Sequence, residues 1–305
     1  MSGAADMLTL RAGRLSLELS PALGGSVSSF RLAAPSGPFD LMRPMTVPAG
    51  AAPHALHSGM FPMLPFANCI RDNAFTFDDR PFAVGPNMVG VRLNYHGSGW
   101  QLPWQVATAG PDRAELVLDD VVVDAAYRYA AAQRFRLTAD ALHVETEVTN
   151  RADIPMPFSF GQHPWFLQHG GAEVSFAATG LWFEDSAGHA ERLIPITADR
   201  DYSHGRRPPP SYQNNCYAGW SGTAAIAWKQ RDIGLTIEAG PEFGHLMFHV
   251  PAHSPRVFCL EPQSNAPCAF DGLEQGLVAP GVHILRPGQS VRGTLRFVVS
   301  SGVRD

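Results

Sequence analysis

The sequence predicts an all-β protein, built as one large antiparallel sandwich or barrel with few short helices. Three observations support this: apolar and polar residues alternate, turn-forming residues recur at short intervals, and convincing amphipathic helices are missing. The chain has 305 residues, of which 45% are hydrophobic, 29 are Gly and 26 are Pro. That apolar content is enough for a large core and excludes disorder. Regular strands without helical spacers favour a sandwich or barrel over alternating β/α units.

The clearest strands form a predicted hairpin. In Leu142–Asn150, one face carries Leu142, Val144, Thr146 and Val148, and polar side chains fill the other. The segment Tyr127–Leu137 alternates in the same way. This period of two is the pattern of a half-buried strand. Residues 138–141 lie between the two segments, and we expect them to form the connecting turn of the hairpin.

Other segments with strand patterning lie on both sides of this hairpin. They are Leu8–Leu19, Ala114–Val123, Ala224–Trp228, Leu235–Glu238, Val257–Leu260 and Ser290–Val299. Phe243–Val250 is the segment expected to form a helical turn or two. Asp199–Pro210 ends in three prolines and is interpreted as a surface loop, because strand patterning continues beyond it. We therefore expect a single domain over residues 1–305.

Charge and cysteine content restrict the partners and the compartment. The net charge is −5 with a pI of about 6.2, which argues against nucleic acid binding. The four cysteines show no CxxC spacing and are expected to be free thiols in a reducing compartment. No signal sequence is evident at residues 1–6, and no apolar run approaches the ~20 residues of a membrane helix. A cytoplasmic monomer or homodimer without membrane contact is expected.

Metal and nucleotide motifs are weak. His245, His249 and His253 are spaced four apart, but Pro251 would interrupt a helix that aligned them. No GxGxxG, P-loop or GxSxG sequence occurs. The sequence therefore predicts neither a metal site nor a cofactor.

Three segments carry residues suited to chemistry. Phe61–Phe77 holds polar side chains between aromatics, Phe158–Phe166 contains His163, and Cys259–Phe270 contains Glu261 at the end of an apolar strand. Aromatic faces stack on sugar rings, while Asn, Gln, Arg and His bind hydroxyls. A His and a Glu across a sugar ring could act as an acid and base pair. Together the segments suggest carbohydrate chemistry.

At these segments the chain resembles the aldose 1-epimerase (galactose mutarotase-like) family. The similarity extends from about Phe61 to Arg296. Pro65–Ile70, for example, resembles the family's Pro-Tyr-Ala/Ser-Asn-Arg-Ile. The other similar segments are His96-Gly97 with Trp104, Gly161–Phe166, Asn214–Tyr217, Glu261–Ser264 and Leu285–Gln289. Each motif is short, and their order and number carry the resemblance.

The resemblance implies a β-supersandwich with an open sugar cleft and no cofactor. It implies that Glu261 removes the proton of the anomeric hydroxyl and that His163 protonates the ring oxygen, with His96 assisting. Carboxylate and imidazolium would then favour each other's charged form. Substrate-binding roles are implied for further side chains: Asn68, Arg71, Asn214, Gln263 and Trp165.

Two positions depart from the family pattern. Cys69 stands where the family has an arginine, and Asn214 where it has Asp. Arg71 could replace the arginine, although two residues along a strand is a displacement of ~6–7 Å. The alternative is that Arg71 pairs on the surface with a nearby acid, which could be Asp72, Asp78 or Asp79.

Four functions stay open at this point. The first is a mutarotase of a free or modified aldose, and the second is an epimerase of a charged sugar such as a hexose phosphate or a sulfonated hexose. The third is a non-catalytic sugar-binding module, against which the presence of His163 and Glu261 argues. A glycoside hydrolase would need two suitably spaced carboxylates, and Glu261 is the one good candidate. The sugar and the preferred anomer are left open.

Overall fold

The computed structural model describes residues 7–124, 126–184, 189–254 and 256–302, so the N-terminal hexapeptide considered above lies outside it. The first strands are β1 Leu8–Ala12, β2 Leu15–Ser20, β3 Ser26–Ala34, β4 Gly37–Asp40, β5 Pro62–Met63, β6 Ala74–Phe77, β7 Arg80–Ala83, β8 Gln105–Ala109, β9 Arg113–Val123, β10 Tyr127–Leu137, β11 Ala141–Asn150 and β12 Met156–Phe158. The others are β13 Gly161–Gln162, β14 Trp165–Leu167, β15 Glu173–Phe176, β16 Gly180–Glu184, β17 Ala190–Ile194, β18 Gln213–Ala218, β19 Thr223–Trp228, β20 Ile233–Ala239, β21 His245–Val250, β22 Val257–Gln263, β23 His283–Leu285 and β24 Ser290–Ser301.

Helical structure in the described residues is limited to four single 3₁₀ turns. These turns are Ala55–His57, Arg71–Asn73, Lys229–Arg231 and Leu273–Gln275. A membrane-spanning helix, which must be long and apolar, does not occur in the described ranges. The all-β prediction is confirmed, with antiparallel pairing throughout the two large sheets.

Two eight-stranded sheets form the body of the fold. The first, which we call the back sheet, has the order β15-β19-β20-β24-β11-β10-β9-β8. The second, the site sheet, has the order β17-β16-β18-β21-β22-β13-β5, with β14 pairing to β22. Smaller sheets comprise β1 to β4, β12 with β23, and β6 with β7.

The predicted hairpin is present as β10 and β11 of the back sheet. Gln133 pairs with Thr146, and Phe135 pairs with Val144. All four side chains of the predicted inner face of β11 are at most 1% exposed. The expected strand Leu8–Leu19 is instead two strands, because the chain reverses at Gly13, whose φ of 53° suits a tight turn.

The expected helix at Phe243–Val250 is wrong, since this segment forms β21. Leu246, Phe248 and Val250 lie in the main core, and the residues between them point to the opposite face. Apolar side chains at every second position fill one face of a strand, whereas a helix would spread them around its axis. The alternation therefore decides in favour of the strand.

A polar bridge of side-chain amides crosses the core between the two sheets. Gln162 of the site sheet donates from Nε2 to Gln133 Oε1 at 3.0 Å and to Thr146 Oγ1 at 2.9 Å, both on the back sheet. Gln133 in turn donates to the carbonyl of Gly25. Buried amides need such partners. The bridge fixes β13 against the back sheet immediately before His163.

Candidate active site

The outer face of the site sheet, turned away from the core, carries the candidate site. Strand alternation sends apolar residues of β21 and β22 into the core and leaves the intervening side chains on this face. These are His245, Met247 and His249 on β21, and Cys259, Glu261 and Gln263 on β22. By the same alternation, β18 adds Asn214 and Cys216, and β16 adds Trp182 and Glu184.

His163 and Glu261 lie together on this face. His163 Nε2 is 3.3 Å from Glu261 Oε1. Glu261 is 2% exposed and His163 is 7% exposed, so the pair forms the floor of the site. The backbone N–H of His163 donates to the carbonyl of Phe61 at 2.9 Å, which fixes the loop between β13 and β14. The two residues assigned to acid and base by resemblance are thus in contact.

Burial works against charge on both members of the pair. It lowers the pKa of His163 well below 6.5, and the nearby His96 and His249 add to this effect. It raises the pKa of Glu261 well above 4.5, with Glu184 adding to the rise. The expected mutual stabilisation of imidazolium and carboxylate is therefore outweighed by desolvation. One proton shared by the pair leaves it without net charge.

Aromatic rings hold the imidazole of His163. Its ring centroid is 4.6 Å from that of Phe61 and 5.1 Å from that of Trp165, which stacks on it. The guanidinium of Arg43 lies 4.2 Å from the Trp165 ring centroid. Arg43 also donates to the carbonyls of Leu56 and Ser58, and burial lowers its pKa to about 10. Arg43 therefore packs on the Trp165 ring while its own guanidinium is anchored to the backbone.

His96 is oriented by two interlocked loops. Its backbone N–H donates to the carbonyl of Asn68 at 2.7 Å, and the Asn68 N–H donates to His96 Nδ1 at 3.1 Å. Gly97 has a φ of 63°, and a Cβ there would lie 2.3 Å from the carbonyl oxygen of Leu64. Burial lowers the pKa of His96 to about 3. The neutral ring accepts at Nδ1, so its hydrogen is on Nε2.

His249 and Glu184 are site residues that sequence reasoning missed. Asn214 Nδ2 is 3.2 Å from Glu184 Oε2, and His249 Nδ1 is 3.0 Å from Asn214 Oδ1. The His249 ring lies edge-on to that of Trp165, with centroids 6.0 Å apart. The alternation in Phe243–Val250, taken as a strand, would have placed His249 on the face of Glu261.

Arg71 and Gln263 have other partners. Arg71 Nε donates to Asp271 at 2.6 Å, and its Nη1 is 3.0 Å from His189 Nδ1. This acid differs from the three considered from sequence, of which Asp72 pairs with Arg92 instead. Gln263 has no exposed surface, and its Nε2 donates to the Asn265 carbonyl at 2.7 Å.

Cys69 fills a small apolar cluster at the position of the family arginine. The cluster contains Cys69, Leu93 and Cys268, with Tyr95 packed against it. The sulfurs of Cys69 and Cys268 are 3.6 Å apart, and both are free thiols. Cys69 is thus held by apolar packing, and thiol groups occupy the position where the family has a guanidinium.

Within the described part of the chain, three neighbouring side chains could hold a thiophilic cation. Ligand atoms of His163, Cys259 and Glu261 lie within 4.8 Å of one another. Burial raises the pKa of the Cys259 thiol well above its usual range, which disfavours the thiolate that metals bind. That the protein works without a metal stays a prediction.

Comparison with known proteins agrees with the fold and the motifs. The profile of the family named aldose 1-epimerase matches residues 6–298. An uncharacterized protein of Escherichia coli K12, YphB, is 31% identical over 299 residues, covering 95% of this chain and 98% of that protein.

Solved structures show the same architecture. One from E. coli K12, described as a candidate aldose 1-epimerase, is 28% identical with a TM-score of 0.87 and covers 97% of this chain and 99% of its own. A galactose mutarotase-like protein from Clostridium acetobutylicum has the same fold, at 18% identity and a TM-score of 0.82 over 96% of this chain and 94% of its own. The chain therefore belongs to the aldose 1-epimerase family.

Proposed function

We propose that the protein interconverts the α and β anomers of a free, uncharged aldose by general acid–base catalysis, without a cofactor. The observation that carries the proposal is the buried contact of 3.3 Å between His163 Nε2 and Glu261 Oε1. Buried ionisable pairs with opposed environments are typical of acid–base sites.

In the proposed cycle, the Glu261 carboxylate takes the proton of the anomeric hydroxyl while the His163 imidazolium gives a proton to the ring oxygen. The bond between C1 and the ring oxygen breaks, and C1 becomes a carbonyl. After rotation about the C1–C2 bond, the reverse transfers close the ring on the other face. The pair holds one proton throughout, so no proton need enter or leave the site.

Burial influences this cycle because it affects which of the two residues carries the shared proton. Before ring opening both members are charged, and after it the proton is on Glu261 and His163 is neutral. Burial raises the pKa of Glu261 and lowers that of His163, so it favours the second arrangement. The environment of the pair therefore opposes the charged starting state and favours the neutral pair that accompanies the open-chain sugar.

Neighbouring side chains would bind the sugar. We assign to His96 a hydrogen bond from Nε2–H to the ring oxygen or an adjacent hydroxyl, since Asn68 occupies its Nδ1. The Trp165 ring is half-buried, with His163 stacked on it and Arg43 over it, so we assign its exposed edge, and not an open face, to the C–H groups of a pyranose. Asn68 contributes by holding His96.

An uncharged substrate fits better than a phosphorylated or sulfonated one. Arg71 is engaged by Asp271, and Arg43 by backbone carbonyls and Trp165. The carboxylate of Glu184 is close enough to Glu261 to raise its pKa. A further anion in this site would meet negative charge, and both arginines would have to leave existing partners.

The test is anomeric exchange measured by two-dimensional NMR on D-glucose, D-galactose, D-xylose and glucose 6-phosphate. We expect acceleration for at least one uncharged sugar, and a loss of roughly 10²–10⁴-fold in Glu261→Gln. Glu238→Gln makes the same chemical change on an exposed carboxylate of the back sheet and should keep full activity. Acceleration of the phosphate alone, or of none of the four, would refute the proposal.

A further inference from the structure

Three side chains of the site sheet form a chain of hydrogen bonds. Glu184 Oε2 is 3.2 Å from Asn214 Nδ2, and Asn214 Oδ1 is 3.0 Å from His249 Nδ1. The three residues come from β16, β18 and β21, which are neighbours in the sheet. All three are half-buried and lie on the face that carries Glu261.

The chemistry of these groups fixes the direction of every bond. The amide of Asn214 turns its NH₂ group toward Glu184, whose Oε2 accepts the hydrogen bond. Its oxygen then faces His249, and an amide oxygen only accepts. His249 must therefore carry its hydrogen on Nδ1. Since burial lowers the pKa of His249 to about 4, the neutral ring is left with a bare Nε2 that accepts.

His96 has the opposite polarity. A backbone N–H only donates, so the contact from Asn68 makes Nδ1 of His96 an acceptor and leaves the hydrogen on Nε2. His96 lies 5.3 Å from His163, ring to ring, and His249 lies beside Trp165, which stacks on His163. Two neutral imidazoles near the pair thus present one donor and one acceptor.

We propose that Glu184 and Asn214 are positioning residues that hold His249 as an acceptor for a sugar hydroxyl, while His96 acts as a donor. This inference rests on the proposed function for its substrate, but the tautomer of His249 can be measured without any sugar. A sugar hydroxyl at His249 must then donate, whereas the sugar oxygen at His96 must accept. The two histidines together select the orientation of the bound aldose.

The first experiment determines the ring tautomers in the free protein at pH 7. Protein labelled with ¹⁵N-histidine is studied by long-range ¹H–¹⁵N correlation, and signals are assigned with His249→Gln and His96→Gln. We expect His249 with hydrogen on Nδ1 and His96 with hydrogen on Nε2. Asn214→Leu and Glu184→Gln should shift His249 toward the Nε2–H tautomer and leave His96 unchanged. Hydrogen on Nε2 of His249 in the unmutated protein would overturn the proposal.

The second experiment tests the contact with substrate, using whichever uncharged sugar exchanges fastest. His249→Leu removes the acceptor and should raise KM roughly 3- to 10-fold with a smaller change in kcat. His249→Gln retains an acceptor oxygen and should recover much of the loss. An unchanged KM in His249→Leu would refute the substrate contact. If no sugar exchanges, the proposed function fails, and the tautomer measurement still decides whether the positioning chain exists.

Discussion

Each of the two large sheets carries a contact between acidic and basic side chains. The contact distances are comparable, but one group is exposed to solvent and the other is buried. On the outer face of the back sheet, Arg134 contacts Glu115, Glu145 and Glu147 at 2.8, 2.6 and 2.9 Å. Its side chain is 41% exposed, and hydrogen bonding to the glutamates, Glu147 first, raises its pKa. On the site sheet, the contact between His163 and Glu261 is buried, and burial disfavours both charges.

The difference shows that solvent, and not proximity, decides what an acid beside a base can do. With water available, the Arg134 guanidinium keeps its charge, and such exposed pairs add little stability. Without water, His163 and Glu261 are pushed toward neutrality and can exchange one proton. We therefore expect proton transfer at the buried pair. Variants of the exposed Arg134 cluster are the control, because they remove charge without touching that pair.

The largest effect is expected from breaking the buried pair. Glu261→Gln and His163→Asn should each lower anomeric exchange by roughly 10²–10⁴-fold. Because the two residues act as a unit, the double variant should lose no more than either single variant. Exchange rates from NMR, with folding checked by circular dichroism, provide the measurement. Near-normal exchange in a folded single variant, or strictly multiplicative losses, would contradict the account.

Breaking the polar bridge beneath the site should lower the free energy of unfolding, because its polar groups are buried in the core. Gln162→Leu would remove the donor to Gln133 and Thr146 inside the core. Leaving buried acceptors without a donor costs about 1–3 kcal/mol in the free energy of unfolding. Urea denaturation measures this value. A loss of less than about 0.5 kcal/mol would mean that water or rotation of the threonine hydroxyl compensates.

The exposed cluster should matter much less. Arg134→Met keeps much of the side-chain length and removes the charge, and we expect it to cost about 1 kcal/mol or less. Anomeric exchange should be unchanged, because the cluster lies on the other sheet. Urea denaturation at low and high salt tests this. A cost larger than that of Gln162→Leu would reverse the comparison.

Chelation is expected to have no effect. Although His163, Cys259 and Glu261 could together hold a thiophilic cation, the proposed proton transfers need none. Exchange rates before and after exhaustive EDTA dialysis provide the measurement. Loss of activity that is restored by a divalent metal, and not by dialysis buffer alone, would require a different mechanism.

Much of the fold follows from the sequence because strand alternation is a local signal. The inner face of β11 is buried as its pattern predicts. The segment that forms β21 is harder to assign from sequence. His245 and His249 are four residues apart, and this spacing places side chains on one face of either a strand or a helix. The alternating apolar residues between them decide the matter.

The site was predictable only in part. The family motifs name His163 and Glu261, and the structure brings them together. The partner of Arg71 was not predictable, because Asp271 is remote in sequence and becomes a neighbour only through folding. The pKa directions at the buried pair were not predictable either. They depend on desolvation, which is set by packing around the side chain and not by its neighbours in sequence.

If catalysis depends on a buried pair that holds one proton, the pH dependence of kcat/KM should reveal it most directly. Activity should fall on the acid side when the pair gains a second proton. Since the pKa of His163 lies below 6.5 in the folded protein, this fall should be centred well below pH 6.5. On the alkaline side, activity should fall only well above pH 4.5, because the pKa of Glu261 is raised. NMR exchange rates across this range, on the fastest uncharged sugar, give the profile. An acid limb centred at or above pH 6.5 would contradict the account.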